Sequence, residues 1–196
     1  MKKIWRNALA VMAMTGFALA DTNATMLYDG GVNALLAGKK SFYVSIKDEV
    51  TGGCLPKPNQ VKQSMEKALK KNGFKIIEKP DAFSNEIYIS TLGFKNNAMC
   101  AVTLSVDMYF PVIVTVPDAE SVPSGNKTYV NYQYELGSYI ANYRRSQMQK
   151  QLNKIARLYA DKIYMRISKA KDDIYPKFPS MDSKNRKSLD KFKKKQ

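Results

Sequence analysis

The chain has 196 residues with 32 Lys or Arg against 17 Asp or Glu, a formal net charge of +15 at pH 7. This length suits one domain with a tail or a small protein of two parts, and the charge favours anionic partners such as phospholipid, lipopolysaccharide, nucleic acid or an acidic protein surface. The chain contains no histidine, which removes the commonest general base and the commonest zinc ligand.

The N-terminal segment has the pattern of an export signal. Basic residues precede an apolar run over residues 8–18, and small residues at positions 18 and 20 precede Asp21. The run is shorter than the roughly 20 apolar residues of a membrane-spanning helix. We therefore expect residues 1–20 to be a cleaved signal peptide. The mature protein is expected to be periplasmic or secreted, with association to the outer membrane only through its partners.

Two cysteines, Cys54 and Cys100, follow the predicted signal peptide. In an oxidising export compartment an isolated pair favours a disulfide over two thiols. A reactive thiol would also lack a histidine to act as its base. We predict a Cys54–Cys100 disulfide that ties the turn after the first strand to the start of a longer strand.

Residues 21–40 are glycine-rich and predict an irregular N-terminal arm with room for one helical turn. A first strand follows at Phe42–Ile46. Helical spacing then predicts an amphipathic helix over Gln60–Asn72, with Asn59 as its N-cap and Gly73 just past its end. Further strands are predicted at residues 74–77 and 86–90.

Met99–Tyr109 alternates apolar and polar residues, which predicts a strand with one buried face. Pro111 predicts an edge position or a bulge before the apolar run at residues 112–116. Residues 127–136 alternate again, so the two runs predict an antiparallel hairpin. Its tyrosine-rich face could stack on a carbohydrate or a base, but a half-buried sheet face is the commoner arrangement.

Ser138–Lys171 has the longest helical pattern. Its apolar stripe consists of Met148, Leu152, Ile155, Tyr159, Ile163 and Ile167. Basic residues decorate the remaining surface, so one interpretation is a helix lying on an anionic membrane. We favour a helix packed on the sheet, because the sheet needs cover and no other segment is long enough to supply it.

The last part of the chain, residues 172–196, is predicted to be a basic flexible tail. Its composition cannot bury enough apolar surface to offset the entropy of ordering. It holds our candidate contacts for an anionic partner: Lys184, Arg186, Lys187, Lys191, Lys193, Lys194 and Lys195. An acidic envelope surface, anionic lipid or lipopolysaccharide fits an exported protein, and nucleic acid is disfavoured.

The sequence offers no catalytic signature. It lacks a glycine-rich phosphate loop, a G-x-S-x-G elbow and carboxylates at metal-binding spacing. We therefore expect a protein that is not an enzyme, with no cofactor and no metal site.

The segment Ser41–Phe94 resembles part of a known family. The likeness is carried by Phe42–Lys47, Met65–Ile77, Lys79–Ala82 and Ile87–Ile89. These residues are similar to the α/β unit of TraT-type surface-exclusion proteins, and more loosely to the N-terminal domain of TolB and other bacterial outer-membrane assembly accessories. The resemblance implies a scaffold role in a cell-envelope assembly.

Together these patterns predict an α+β domain over residues 41–171. It would contain a mostly antiparallel sheet of four to five strands, covered by two helices. The predicted function is a non-catalytic periplasmic component of a bacterial envelope complex of the secretion or conjugation type, with other envelope proteins as partners. The alternative is a secreted binding protein or inhibitor that recognises an anionic ligand or partner.

Overall fold

The computed structural model describes residues 33–115 and 127–177. The described residues form three helices and five strands. In chain order these are α1 (33–37), β1 (Ser41–Val50), α2 (Pro58–Lys71), β2 (Lys75–Ile76), β3 (Glu86–Asn96), β4 (Met99–Thr115), β5 (Lys127–Arg144) and α3 (Arg145–Ile174). The predicted signal peptide and residues 178–196 of the predicted basic tail lie outside the described residues.

The five strands form one mixed sheet in the order β2-β1-β3-β4-β5. β1 runs parallel to both β2 and β3, whereas β3, β4 and β5 are antiparallel to one another. The α+β class and the strand number agree with the prediction, but the mostly antiparallel sheet was wrong. α2 makes β1 and β2 parallel, because a helix between two neighbouring strands returns the chain to its starting end. The segment between β2 and β3 returns the chain to that end once more, so β3 is parallel to β1 as well.

Two helices, α2 and α3, pack side by side on one face of the sheet. The stripe predicted for the long helix, from Met148 to Ile167, is buried in the core. The alternate residues of β4 from Cys100 to Phe110 are buried in the same core, on the face of the sheet that the helices cover. Both predictions are confirmed, because a period of 3.6 in the helix and of two in the strand identify the buried positions.

The ends of α2 show one correct and one wrong prediction. The helix begins at Pro58 after Lys57, and Asn59 is not its N-cap; proline is suited to the first helical position because its fixed φ matches the helix. At the other end Gly73 has φ 87°, as its predicted role requires. Its N–H donates to the Lys70 carbonyl and the Phe74 N–H donates to the Leu69 carbonyl, both at 3.0 Å.

The boundary between β5 and α3 differs from the prediction. Residues 138–144 were predicted to be helical, but they continue β5 and pair with β4 up to the Met99–Arg144 pair. This segment contains Tyr139, Ile140 and Tyr143, and such residues fit a strand that has a partner. The helix therefore starts at Arg145 and continues to Ile174, three residues beyond the predicted domain end at 171.

Pro111 lies within β4, which continues unbroken to Thr115. The predicted interruption is therefore wrong, but the predicted edge position is confirmed. β3 pairs with β4 only between Met99 and Tyr109. At Pro111, therefore, β4 is paired with β5 on one side and has no β3 partner on the other. A missing backbone N–H is tolerated at such a local edge.

Part of the predicted N-terminal arm belongs to the folded domain. Residues 33–37 form the predicted helical turn, and Leu36 and Ala37 are buried. The Asn33 side-chain amide donates to Asp173 at 3.0 Å, and the Tyr175 hydroxyl donates to the Ala37 carbonyl at 3.1 Å. These bonds fasten the turn to the C-terminal end of α3.

Candidate interaction surface

The predicted disulfide is present. Cys54 lies in the loop after β1 and Cys100 is the second residue of β4; their Cα atoms are 5.7 Å apart, and both side chains are buried. Arg145, the first residue of α3, donates from Nε to the Gly53 carbonyl at 3.0 Å. The disulfide therefore fixes a junction of loop, sheet and helix, and its burial indicates a structural role.

The seven basic tail residues predicted to contact an anionic partner, Lys184 to Lys195, lie outside the described residues. The structure therefore brings none of them to a site. It shows instead a surface that the sequence did not indicate.

That surface is the open face of the sheet, defined here as the face opposite α2 and α3. Strand register arranges its side chains in rows across the sheet. The rows that matter here are Glu49–Leu92–Thr103–Ile140, Lys47–Ser90–Ser105–Ser138 and Ser45–Tyr88–Asp107–Glu135. No helix among the described residues covers these positions, so the rows face outwards.

One end of the open face carries an apolar patch, which we define as Leu92, Phe94, Met99 and Ile140. Their exposed fractions are 62%, 58%, 39% and 75%. Leu92 on β3 and Ile140 on β5 flank Thr103 on β4, so a strand spacing of about 4.8 Å separates their Cα atoms by about 10 Å. Several exposed apolar residues gathered at one part of a surface are typical of an interaction site.

The middle of the open face is a shallow depression lined largely by polar side chains. Ser90 and Ser105, together with Leu92 and Thr103, line a depression of about 240 Å³. The Lys47 ammonium forms an ion pair with Glu49 at 2.7 Å on its rim. Small side chains in this row leave room for the larger side chains of a bound molecule.

The far end of the open face is acidic and aromatic. The Tyr88 and Tyr109 rings meet edge to face with centroids 6.1 Å apart. Glu86, Asp107 and Glu135 surround them in the register. Burial, followed by the negative charge of Asp107, raises the pKa of Tyr109. This end therefore has a negative potential that suits basic side chains.

The helix layer on the opposite side has a different character. The exposed residues of α3 include basic side chains such as Lys154, Arg157 and Arg166, with Leu158 and Met165 among them. Because the apolar stripe of α3 is buried against the sheet, the packed-helix interpretation is confirmed. The two faces of the domain therefore differ in charge as well as in secondary structure.

Two further features concern ligands and membranes. Among residues 33–115 and 127–177, no group of three or more His, Cys, Asp or Glu side chains could hold a metal ion. No helix in this part of the chain is long and apolar enough to span a membrane.

Comparison with known proteins gives no family. No protein-family model and no curated protein matches this chain. Two solved structures resemble it over 66% of its length. One is an uncharacterized protein, 13% identical over 99% of that chain with a TM-score of 0.32. The other is a minor lipoprotein from Acinetobacter baumannii, 15% identical over 92% of that chain with a TM-score of 0.31.

Likenesses at this level assign neither a family nor a function. Neither description identifies a TraT-type protein, so the resemblance of Ser41–Phe94 to that family stays a prediction.

Proposed function

We propose that this protein is a non-catalytic accessory component of a bacterial cell-envelope complex, of the secretion or conjugation type, and that it docks on a partner protein through the open face. One observation carries the proposal: the apolar patch is exposed on a sheet face that α2 and α3 leave uncovered. Burial of such a face against a partner is favourable by about 25 cal/mol per Å² of apolar surface removed from water.

The partner segment that fits this face is an amphipathic helix. Residues seven apart on a helix are separated by about 10.5 Å along its axis. This spacing matches the separation of about 10 Å between Leu92 and Ile140 across the strands. Basic residues beside the helix's apolar stripe would face Glu86, Asp107 and Glu135, and large side chains would enter the depression beside Ser90.

Two features support the envelope setting, and a third bears on the kind of partner. Residues 1–20 have the pattern of an export signal. The buried Cys54–Cys100 disulfide suits an oxidising compartment. The depression of about 240 Å³ on the open face is smaller than the roughly 300–1,000 Å³ of typical small-molecule sites, which favours a protein partner over a substrate there.

The proposal is tested by removing the apolar patch without disturbing the core. Leu92→Ser with Ile140→Ser should reduce recovery of co-purified envelope proteins at least about ten-fold, because two exposed apolar side chains lose their burial in the complex. The matched control is Leu158→Ser with Met165→Ser, which removes two exposed apolar residues from the helix layer. The measurement is quantitative mass spectrometry of proteins that co-purify from native membranes.

Circular dichroism should show that both double variants are folded. If the open-face variant recovers the same proteins as the wild type, or if the helix-layer variant loses them equally, the open face is not the docking surface.

A further inference from the structure

The two edges of the sheet differ in how they are protected. At one edge β2 has only two residues, and β1 beyond it carries Lys47, Asp48 and Glu49. The Asp48 carboxylate also accepts the Val50 N–H at 3.2 Å, so a side chain occupies part of this edge. A short edge strand and charged side chains are the usual means by which proteins keep a sheet edge from pairing with another strand.

The other edge is β5, which lacks this protection. It has 18 residues, and no strand among the described residues pairs with the side that faces away from β4. Alternate residues of β5 therefore direct a backbone N–H and C=O away from the sheet. Between Glu135 and Arg144 the strand contains neither a charged residue nor a proline. A long, uncharged edge of this kind is a template for a further strand.

The regular part of this edge runs from Gly137 to Arg144 and is defined here as the edge segment. It pairs with Met99–Val106 without a shift, whereas Leu136, just before it, forms a bulge. Lys162 of α3 donates to the Leu136 carbonyl, so the bulge already has a partner within the chain. Along the edge segment itself, no hydrogen bond from another described residue reaches the outer side of the backbone.

The edge segment is complementary to a second, antiparallel copy of itself. If Ile140 lies opposite Ile140 of the second copy, two exposed apolar side chains meet. In the same register Tyr139 faces Ala141, and Tyr143 faces Gly137. Each aromatic ring therefore lies beside a small residue that leaves room for it, an arrangement that stabilises strand pairs.

The charges at the two ends of the edge segment fit the same arrangement. Glu135 precedes the segment and Arg144 ends it, and both side chains are exposed. Neither forms an ion pair with another described residue. Antiparallel pairing about Ile140 brings Glu135 of each copy near Arg144 of the other, whereas parallel pairing in register would bring like charges together.

We propose that this protein forms a symmetric dimer by antiparallel pairing of two edge segments, which joins two five-stranded sheets into one sheet of ten strands. The two-fold axis passes beside Ile140, so each contact occurs twice. Opposite residues of an antiparallel pair lie on the same face, so the open faces of both copies point the same way. The two apolar patches become neighbours across the axis. The pairing uses the main chain of β5 and does not rest on the proposed function.

Cysteine cross-linking of the purified protein tests the register. Residues directly opposite in an antiparallel pair have Cα atoms about 4.5–5.5 Å apart, a distance that a disulfide can span. Ile140→Cys should therefore give a disulfide-linked dimer on mild oxidation with oxidised glutathione, as measured by non-reducing electrophoresis. Ser138→Cys is the matched control, because it is exposed on the same face of the same strand. It should stay monomeric, since four residues of strand, about 13 Å, separate its two copies.

Sedimentation velocity of charge variants tests the same register without a covalent link. Ser138 lies opposite Asn142 of the second copy. Ser138→Lys with Asn142→Lys places like charges opposite each other twice and should weaken dimerisation at least about ten-fold. Ser138→Glu with Asn142→Lys places opposite charges there and should keep the affinity within about two-fold of the wild type. Both positions are exposed, and both variants retain Leu92 and Ile140.

The proposal is overturned if the wild type sediments as a monomer at every concentration, if Ser138→Cys cross-links as readily as Ile140→Cys, or if the two charge variants dimerise equally. A monomeric wild type that still loses its envelope partners on Leu92→Ser with Ile140→Ser would refute the dimer and leave the proposed function standing.

Discussion

Replacing Cys54 and Cys100 together by alanine is expected to lower the free energy of unfolding by roughly 4 kcal/mol. The two residues are 46 positions apart, and a cross-link over a loop of this length removes much of the conformational freedom of the unfolded chain. Both sulfurs are also buried, so their removal leaves space in the core. Urea denaturation followed by circular dichroism measures the loss.

Reductant provides the control for this prediction. Dithiothreitol should destabilise the wild type by a similar amount and leave the Cys54→Ala/Cys100→Ala variant unaffected. A wild type whose stability does not change on complete reduction would show that the disulfide does not hold the fold together.

Gly93→Ala is expected to lower the free energy of unfolding by about 3 kcal/mol, at the upper end of the usual cost of overpacking. Gly93 is buried in β3 opposite Val102 of β4. A Cβ atom there would lie 2.4 Å from the Ala101 carbonyl oxygen and 2.8 Å from the Val102 Cα atom. Both are backbone atoms, so β3 and β4 would have to separate.

Gly38→Ala is the matched control. Gly38 is exposed, and a Cβ atom added there would have no neighbour within 4 Å. Its substitution should change stability by no more than about 0.5 kcal/mol. In thermal and urea denaturation, Gly93→Ala should therefore unfold at a clearly lower temperature and urea concentration than Gly38→Ala. Equal stabilities would mean that β3 and β4 are not as close at Gly93 as the structure places them.

The parts of the fold that the sequence predicted are those in which one period repeats over many residues. In β4 every second residue from Cys100 to Phe110 is apolar, and in α3 the apolar spacing continues from Met148 to Ile167. A buried face imposes this regularity on its own element, so local reasoning identifies it. The disulfide was predictable for a different reason, since the chain offers only two cysteines.

The sheet direction and the start of α3 were not predictable in the same way. Residues 138–144 are strand because β4 supplies a partner over Met99–Ser105, a pairing that no local pattern reveals. Likewise, β1 is parallel to β3 because of where the chain returns after β2. Both outcomes depend on contacts between residues far apart in sequence.

The open face was missed for a related reason. The predicted third strand stopped at residue 90, so Leu92 and Phe94 fell beyond it, and Ile140 was assigned to a helix. Their exposure depends on which face of the sheet the helices cover, and this is a tertiary property. One local signal was available, because after Ile87 and Ile89 the apolar residues shift by one position to Leu92 and Phe94, which places them on the opposite face of an extended strand.

Site-specific photocross-linking in intact cells tests the docking surface most directly. A photoreactive residue at Ile140 or at Leu92 should form a covalent adduct with another envelope protein, because these side chains would lie inside the interface. The same residue at Leu158, which is 57% exposed on the helix layer, should not form that adduct. If the protein with the photoreactive residue at Ile140 or Leu92 is recovered only as monomer, or if all three positions give the same adduct, the open face is not the docking surface.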